Sequence, residues 1–164
     1  EQRPMRGPYR ESFSLGDHIR QIVRALLDTP DNLATTFLLS EKIDVDQKTL
    51  NMEISSQAHK YPAFNYNPNN STLSLTKKHG PLMKSVRFSF KRLKKSFFVS
   101  RRLEGKIYKW AARTYNASDF WDQIQRAICH SDVLSRFLLI NFLGYANLRR
   151  IAKSVQQARS NHIE

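Results

Sequence analysis

One cysteine, Cys129, stands in the chain of 164 residues, so no internal disulfide can form and no multi-cysteine zinc site exists. Such sparing use of cysteine points to a reducing compartment, cytoplasm or nucleus, rather than to secretion. Only five glycines are present, too few for a fibrous or low-complexity chain. The longest apolar run, residues 137–143, is interrupted by Asn141 and falls far short of the ~20 residues a membrane span needs. The first twelve residues, EQRPMRGPYRES, are polar and hold two prolines, so no signal peptide is expected there. The five histidines (His18, His59, His79, His130 and His162) are scattered without HExxH or HxH spacing, and no glycine-rich phosphate loop occurs. Cys129 and His130 are neighbours, and neighbours on a helix do not face each other, which argues against a thiolate–imidazolium pair. No catalytic residue, metal ligand or cofactor is therefore expected, and the chain reads as non-enzymatic.

Acid is what residues 77–113 lack most. They hold 13 of the 27 lysines and arginines but only one of the 14 acids, Glu104. The segment thus carries +12 of a net +13, leaving +1 for the rest of the chain. A solvated face without a partner would relieve this self-repulsion by mixing in acids, so the segment is expected to bind anions. The candidates are Lys77, Lys78, Lys84, Arg87, Lys91, Arg92, Lys94, Lys95, Arg101, Arg102, Lys106, Lys109 and Arg113. They would contact phosphates of nucleic acid or lipid headgroups, with affinity that falls as salt rises. Aromatics punctuate the segment. As strands, residues 86–91 place Phe88 and Phe90 away from Arg87 and Lys91, toward a core, whereas Tyr108 and Trp110 share a face with Lys106. Tyr108 and Trp110 are therefore the candidates for stacking on bases. Phe97 and Phe98, beside Lys94 and Lys95, suit shallow insertion into an anionic membrane, but burial in a strand with Val99 is the favoured reading. The run KRLKK at 91–95 resembles a nuclear-localisation patch, a pattern common by chance.

Residues 1–13 read as a flexible basic arm with Arg3, Arg6 and Arg10, and residues 14–164 as one α+β domain. Leu15, Ile19, Ile22, Val23, Leu26 and Leu27 form one helical stripe, with Ser14 and Asp17 as a capping box and Pro30 beyond the far end. Leu33–Leu39 is β-compatible, and alternation over 41–56 predicts a hairpin turning near 46–48. Residues 57–70 read as a loop and 72–76 as a short strand. The basic segment reads as strands at 86–91, 97–102 and 106–112, with Gly105 as a turn. A helix starts near Asn116–Asp119, capped by Ser118 or Asn116, with Phe120, Trp121, Ile124 and Ile128 inside. Residues 133–143 predict a central, all-round apolar helix ended by Gly144, and Leu148, Ile151, Ala152 and Val155 a last one. Asn70 and Asn116, though in glycosylation-type triplets, are expected to serve as turn and cap. The expected fold is a single antiparallel sheet over about residues 33–113, packed against the N-terminal helix and the C-terminal helices.

A stretch from residue 114 has a family likeness. It opens on Thr114-Tyr115, has Ser118-Asp119 close behind, runs through an amphipathic helix and closes on Phe142-Leu143-Gly144-Tyr145-Ala146-Asn147-Leu148-Arg149. Aromatic alternation at 87–91 and 106–112 precedes it. This pattern resembles a rhabdovirus matrix protein of the vesiculovirus type, over residues 114–149, about a quarter of the chain. The family's lysine-rich tail is replaced here by a sparse arginine arm, and no PPxY or PTAP motif occurs. The resemblance implies a non-enzymatic virion protein that self-associates and binds anionic membrane and nucleocapsid. The alternative is an RNA-binding structural component of a large ribonucleoprotein such as a ribosome.

Overall fold

A computed structural model describes residues 13–163, so the arm expected at 1–13 lies outside the described residues except for Phe13. The fold is α+β with one antiparallel sheet, but the sheet is far smaller than the alternation predicts. In chain order the elements are α1 (Ile19–Leu27, entered through a 3-10 turn at Gly16–His18), β1 (Leu33–Thr35), α2 (Thr36–Ile43) and α3 (Gln47–Gln57). Then come β2 (Phe64–Asn67), β3 (Thr72–Leu75), α4 (His79–Lys94), α5 (Arg101–Arg113), α6 (Ala117–Ile128) and α7 (Val133–Ile163).

The sheet has strand order β1-β3-β2. Leu33 pairs with Ser74 and Thr35 with Thr72 on one side of β3, and Phe64 with Leu75 and Asn67 with Thr72 on the other. β2 occupies part of the expected 57–70 loop. Asn70 behaves as a turn residue: its side-chain oxygen accepts from the Thr72 hydroxyl at 2.7 Å.

Helix α1 is the central element. Leu15, Ile19, Ile22, Val23 and Leu26 are fully buried, against α2, α4, α5 and the sheet. The Ser14–Asp17 capping box does not form. The Ser14 carbonyl instead accepts from His18 Nδ1 at 2.9 Å. Residues 133–143 do not form the central helix expected of them. Leu138, Leu139, Phe142 and Ala146 face inward, while Val133, Leu134, Phe137 and Ile140 are exposed. Asp132 caps α7, accepting from Ser135 N at 2.8 Å, and that backbone bond, with one from the Ser135 hydroxyl, holds its carboxyl below the usual range. Gly144 does not end the helix. A mid-helix glycine costs only about 1 kcal/mol, which the buried Phe142 and Ala146 on either side outweigh.

Three predicted strand regions are helical. The 41–56 hairpin is replaced by α2 and α3: Asp44 ends α2 in the left-handed region (φ 55°), and the Asp46 carboxylate accepts from Thr49 N to start α3. Residues 86–91 belong to α4, where Leu82, Met83, Val86, Phe90 and Leu93 form the buried stripe. Residues 106–112 belong to α5, where Ile107, Tyr108, Ala111 and Ala112 are buried. The expected strand at 97–102 divides between the α4–α5 link and the first residues of α5, which Ser100 caps by accepting from Leu103 N at 3.1 Å. The α6 start is as expected, with the Asn116 side chain accepting from Asp119 N at 2.8 Å.

Aromatic rings knit the helices together. Tyr108 of α5 stacks on Phe90 of α4 (6.0 Å between centroids), Phe90 meets Phe142 of α7 (4.6 Å), and Phe142 meets Trp121 of α6 (5.8 Å). His79 is buried where β3 gives way to α4. Its Nε2 donates to the Thr114 carbonyl at 2.6 Å, which leaves Nδ1 to accept from the Thr76 hydroxyl, also at 2.6 Å.

Candidate anion-binding face

A helix sorts charge from core by a period of 3.6, and α5 does so cleanly. Arg102, Lys106, Lys109 and Arg113 fall at i, i+4, i+7 and i+11 on its outer face. Glu104, Tyr108, Ala111 and Ala112 fall on the inner one. The segment's single acid is therefore buried, with Glu104 only 1% exposed. Lys94 Nζ donates to its Oε1 at 2.9 Å, Arg24 to its Oε2 at 3.5 Å, and Arg20 Nε lies 3.0 Å from Oε1. The Arg20 contact is a charge pair without a hydrogen bond, because that N–H is not aimed at the carboxylate. Cations from α1 and α4 thus converge on one carboxylate of α5 and fix the three helices relative to one another. A second pair, Arg87 with Asp28 at 2.7 Å, ties α4 to the end of α1.

These pairs account for Arg87 and Lys94. Among the described residues the segment's other eleven cations make no ion pair, and all but Lys109 are exposed. Lys77 and Lys78 precede α4, Lys84, Lys91 and Arg92 lie along it, and Lys95 follows it. Arg101, Arg102, Lys106 and Lys109 line a groove of about 310 Å³ between α5 and the turn holding Gly16 and Asp17, which Arg20 also borders. On the other flank, Lys106, Lys109 and Arg113 border a cleft of about 430 Å³ whose apolar wall is Leu103, Ile107, Trp110 and Leu139.

The aromatic assignments change with the helix. Lys106 and Trp110, four residues apart, share a face, but Tyr108 points the opposite way. Tyr108 is fully buried and cannot stack on a base, while Trp110 is half-buried beside the cations. Phe88, expected in the core, is half-buried under the Arg149 guanidinium at 4.6 Å. The expected burial of residues 97–99 holds for Val99 alone. Phe97 is half-buried with its ring edge-on to Phe137 at 5.0 Å, and Phe98 is 89% exposed. Sequence reasoning missed Arg20 and Arg24 as members of this site. The available signal was Glu104 itself, since a lone acid in so basic a segment needs cations from outside it once buried.

The Tyr108 hydroxyl has no hydrogen-bond partner, and burial, reinforced by Glu104, pushes its pKa far above the usual tyrosine value against the opposing pull of Arg24, Arg87 and Arg20. Tyr108→Phe is expected to stabilise the fold by about 1 kcal/mol at neutral pH by removing an unsatisfied buried group. A raised folded-state pKa contributes stability that is complete below the unfolded value of ~10 and declines as pH rises beyond it. Tyr61, also raised by burial, acts in the same direction. Urea unfolding at neutral and alkaline pH should therefore show a smaller alkaline loss in Tyr108→Phe than in the parent. An equal loss would exclude Tyr108 as a source.

Among the described residues no helix is long and apolar enough to cross a membrane, and no three His, Cys, Asp or Glu side chains cluster to hold a metal. Comparison with protein-family models, curated proteins and solved structures finds no match to this chain.

Proposed function

We propose that this chain is a non-enzymatic, matrix-like assembly protein whose α4–α5 face adsorbs to an anionic membrane. The observation that carries this reading is Phe98. A ring 89% exposed, flanked in sequence by Lys94, Lys95, Arg101 and Arg102, has no folding role and suits insertion among lipid headgroups. Phe97 joins that tip to Phe137, one of the exposed apolar residues of α7. The unpaired cations of α4 and α5 supply attraction to the leaflet, and the fixed helices hold them as one surface. Self-association and nucleocapsid binding complete the matrix-like role, with Val133, Leu134 and Ile140 as apolar surface for contact with another copy. The vesiculovirus-type resemblance supports it through residues 114–149 alone, because 87–91 and 106–112 are helical.

The second reading, RNA binding within a ribonucleoprotein, is favoured by Trp110, which stands half-buried beside Lys106 and Arg113 where a base can stack. Parallel titrations over a salt series separate the two. The expected result is binding to vesicles containing phosphatidylserine, weakening with salt, no binding to phosphatidylcholine vesicles, and weaker binding to single-stranded RNA. Tight RNA binding with no vesicle adsorption would reverse the assignment.

A further inference from the structure

We infer that the groove between α5 and Gly16 is a discrete site for a ligand carrying two clustered phosphates, distinct from the diffuse attraction of the whole face. This deepens the membrane reading and rests on it only where the phosphates belong to a lipid. Five cations, Arg20, Arg101, Arg102, Lys106 and Lys109, border a single concavity of about 310 Å³ against one carboxylate, Asp17. Arg20 alone among them pairs with an acid, Glu104. The other four make no ion pair among the described residues and share one small volume with Asp17 as its single acid. A compact polyanion relieves this surplus of positive charge more fully than a singly charged headgroup.

The groove is also shaped. Gly16 and Gly105 line it without side chains. At Gly16 this is a requirement, since a Cβ there would sit 2.8 Å from the Tyr61 hydroxyl and 3.0 Å from Lys109 Nζ. The backbone at Gly16 thus seats the Lys109 ammonium against the groove wall. At Gly105 an added Cβ would meet nothing within 4 Å, so that side of the groove is open to a ligand. Placed donors and an unobstructed floor distinguish a site from a charged surface.

This gives a probe that moves a charge without removing it. Gly16→Ala pushes the flexible end of Lys109 from its seat but also presses on the hydroxyl of the buried Tyr61 ring. Lys109→Gln, which adds nothing at Gly16, is therefore run beside it, and the folding of both is checked by thermal melting. Titration calorimetry of the whole chain with inorganic pyrophosphate is expected to show saturable one-to-one binding. Gly16→Ala and Lys109→Gln should each weaken it by about tenfold, the equivalent of roughly one charge-assisted hydrogen bond. Lys48→Gln with Arg126→Gln removes two exposed charges elsewhere and should leave affinity within about twofold if binding is local. Losses that follow net charge wherever it is removed, or titrations that never saturate, would overturn the site. Vesicles carrying a bis-phosphorylated inositol lipid, compared with phosphatidylserine vesicles of equal charge, identify the source. Preference for the former, competed by pyrophosphate, assigns a lipid, and its absence with pyrophosphate still bound assigns a soluble phosphate. Phe98→Ser separates the two claims, because it should weaken vesicle adsorption by roughly 30-fold without changing pyrophosphate binding.

Discussion

Replacing Glu104 by alanine is expected to lower the free energy of unfolding by about 3 kcal/mol, read as a lower urea midpoint at unchanged slope. The carboxylate is buried and meets Arg20, Arg24 and Lys94 within 3.5 Å. Removing it leaves three cations converging on a site with no anion. Arg24 and Lys94 are partly exposed and can turn toward water, but the Arg20 side chain is only 20% exposed and has less freedom to escape. The loss should therefore lie at the low end of what breaking a buried pair costs. Glu104→Gln preserves volume yet not charge, and should lose nearly as much. Arg24→Ala, which removes the longest and most exposed of the three contacts, should cost under about 1 kcal/mol. Equal effects from Glu104→Ala and Arg24→Ala would show that Glu104 does not join the helices.

Changing Lys91, Arg92 and Lys95 together to serine is expected to weaken adsorption to phosphatidylserine vesicles by roughly 100-fold, at about 1 kcal/mol per cation near an anionic leaflet. All three are exposed and make no ion pair among the described residues, so thermal unfolding should not move. Lys94 is left in place because it holds Glu104, and its loss would mix folding with binding. Phe98→Ser should act differently. Insertion of a phenyl ring gains about 2 kcal/mol from apolar burial, which salt does not screen. The triple variant should thus flatten the salt dependence of binding, and Phe98→Ser should lower affinity at every salt concentration with the slope retained. Vesicle affinity unchanged in the triple variant would remove α4 from the membrane contact.

Much of this site was legible in the sequence, though its scaffold was not. Charge counting needs no conformation, so the concentration of cations in 77–113 and the isolation of Glu104 survive whatever the segment becomes. Period is harder. Over six residues, Val86-Arg87-Phe88-Ser89-Phe90-Lys91 alternates perfectly and reads as a strand. The helical stripe of Leu82, Val86, Phe90 and Leu93 emerges only over twelve residues. Phe88 completes the false alternation although it lies off the buried stripe, under the guanidinium of Arg149 from far away in sequence. The 41–56 error is similar: Ile43 and Val45 straddle the junction between two helices, while Leu50 and Ile54 are one turn apart inside the second. Cap chemistry is legible where a side chain bonds its own turn, at Asn116, and a glycine alone does not stop a helix, as Gly144 shows. Groove geometry was beyond reach, because Gly16 and Lys109 meet only through tertiary packing.

The His79 imidazole bears on how this chain comes to be folded. It joins Thr76, just past the end of the central strand β3, to Thr114, where α5 ends. The β1-β3 pairing likewise waits for residues 72–75, long after Leu33 has been made. A nascent chain that has not yet reached Thr114 leaves one His79 ring nitrogen without its partner and α1 without its α5 cover. Neither the sheet half nor the helical half is complete alone, so the two should form and melt in a single cooperative transition rather than in sequence.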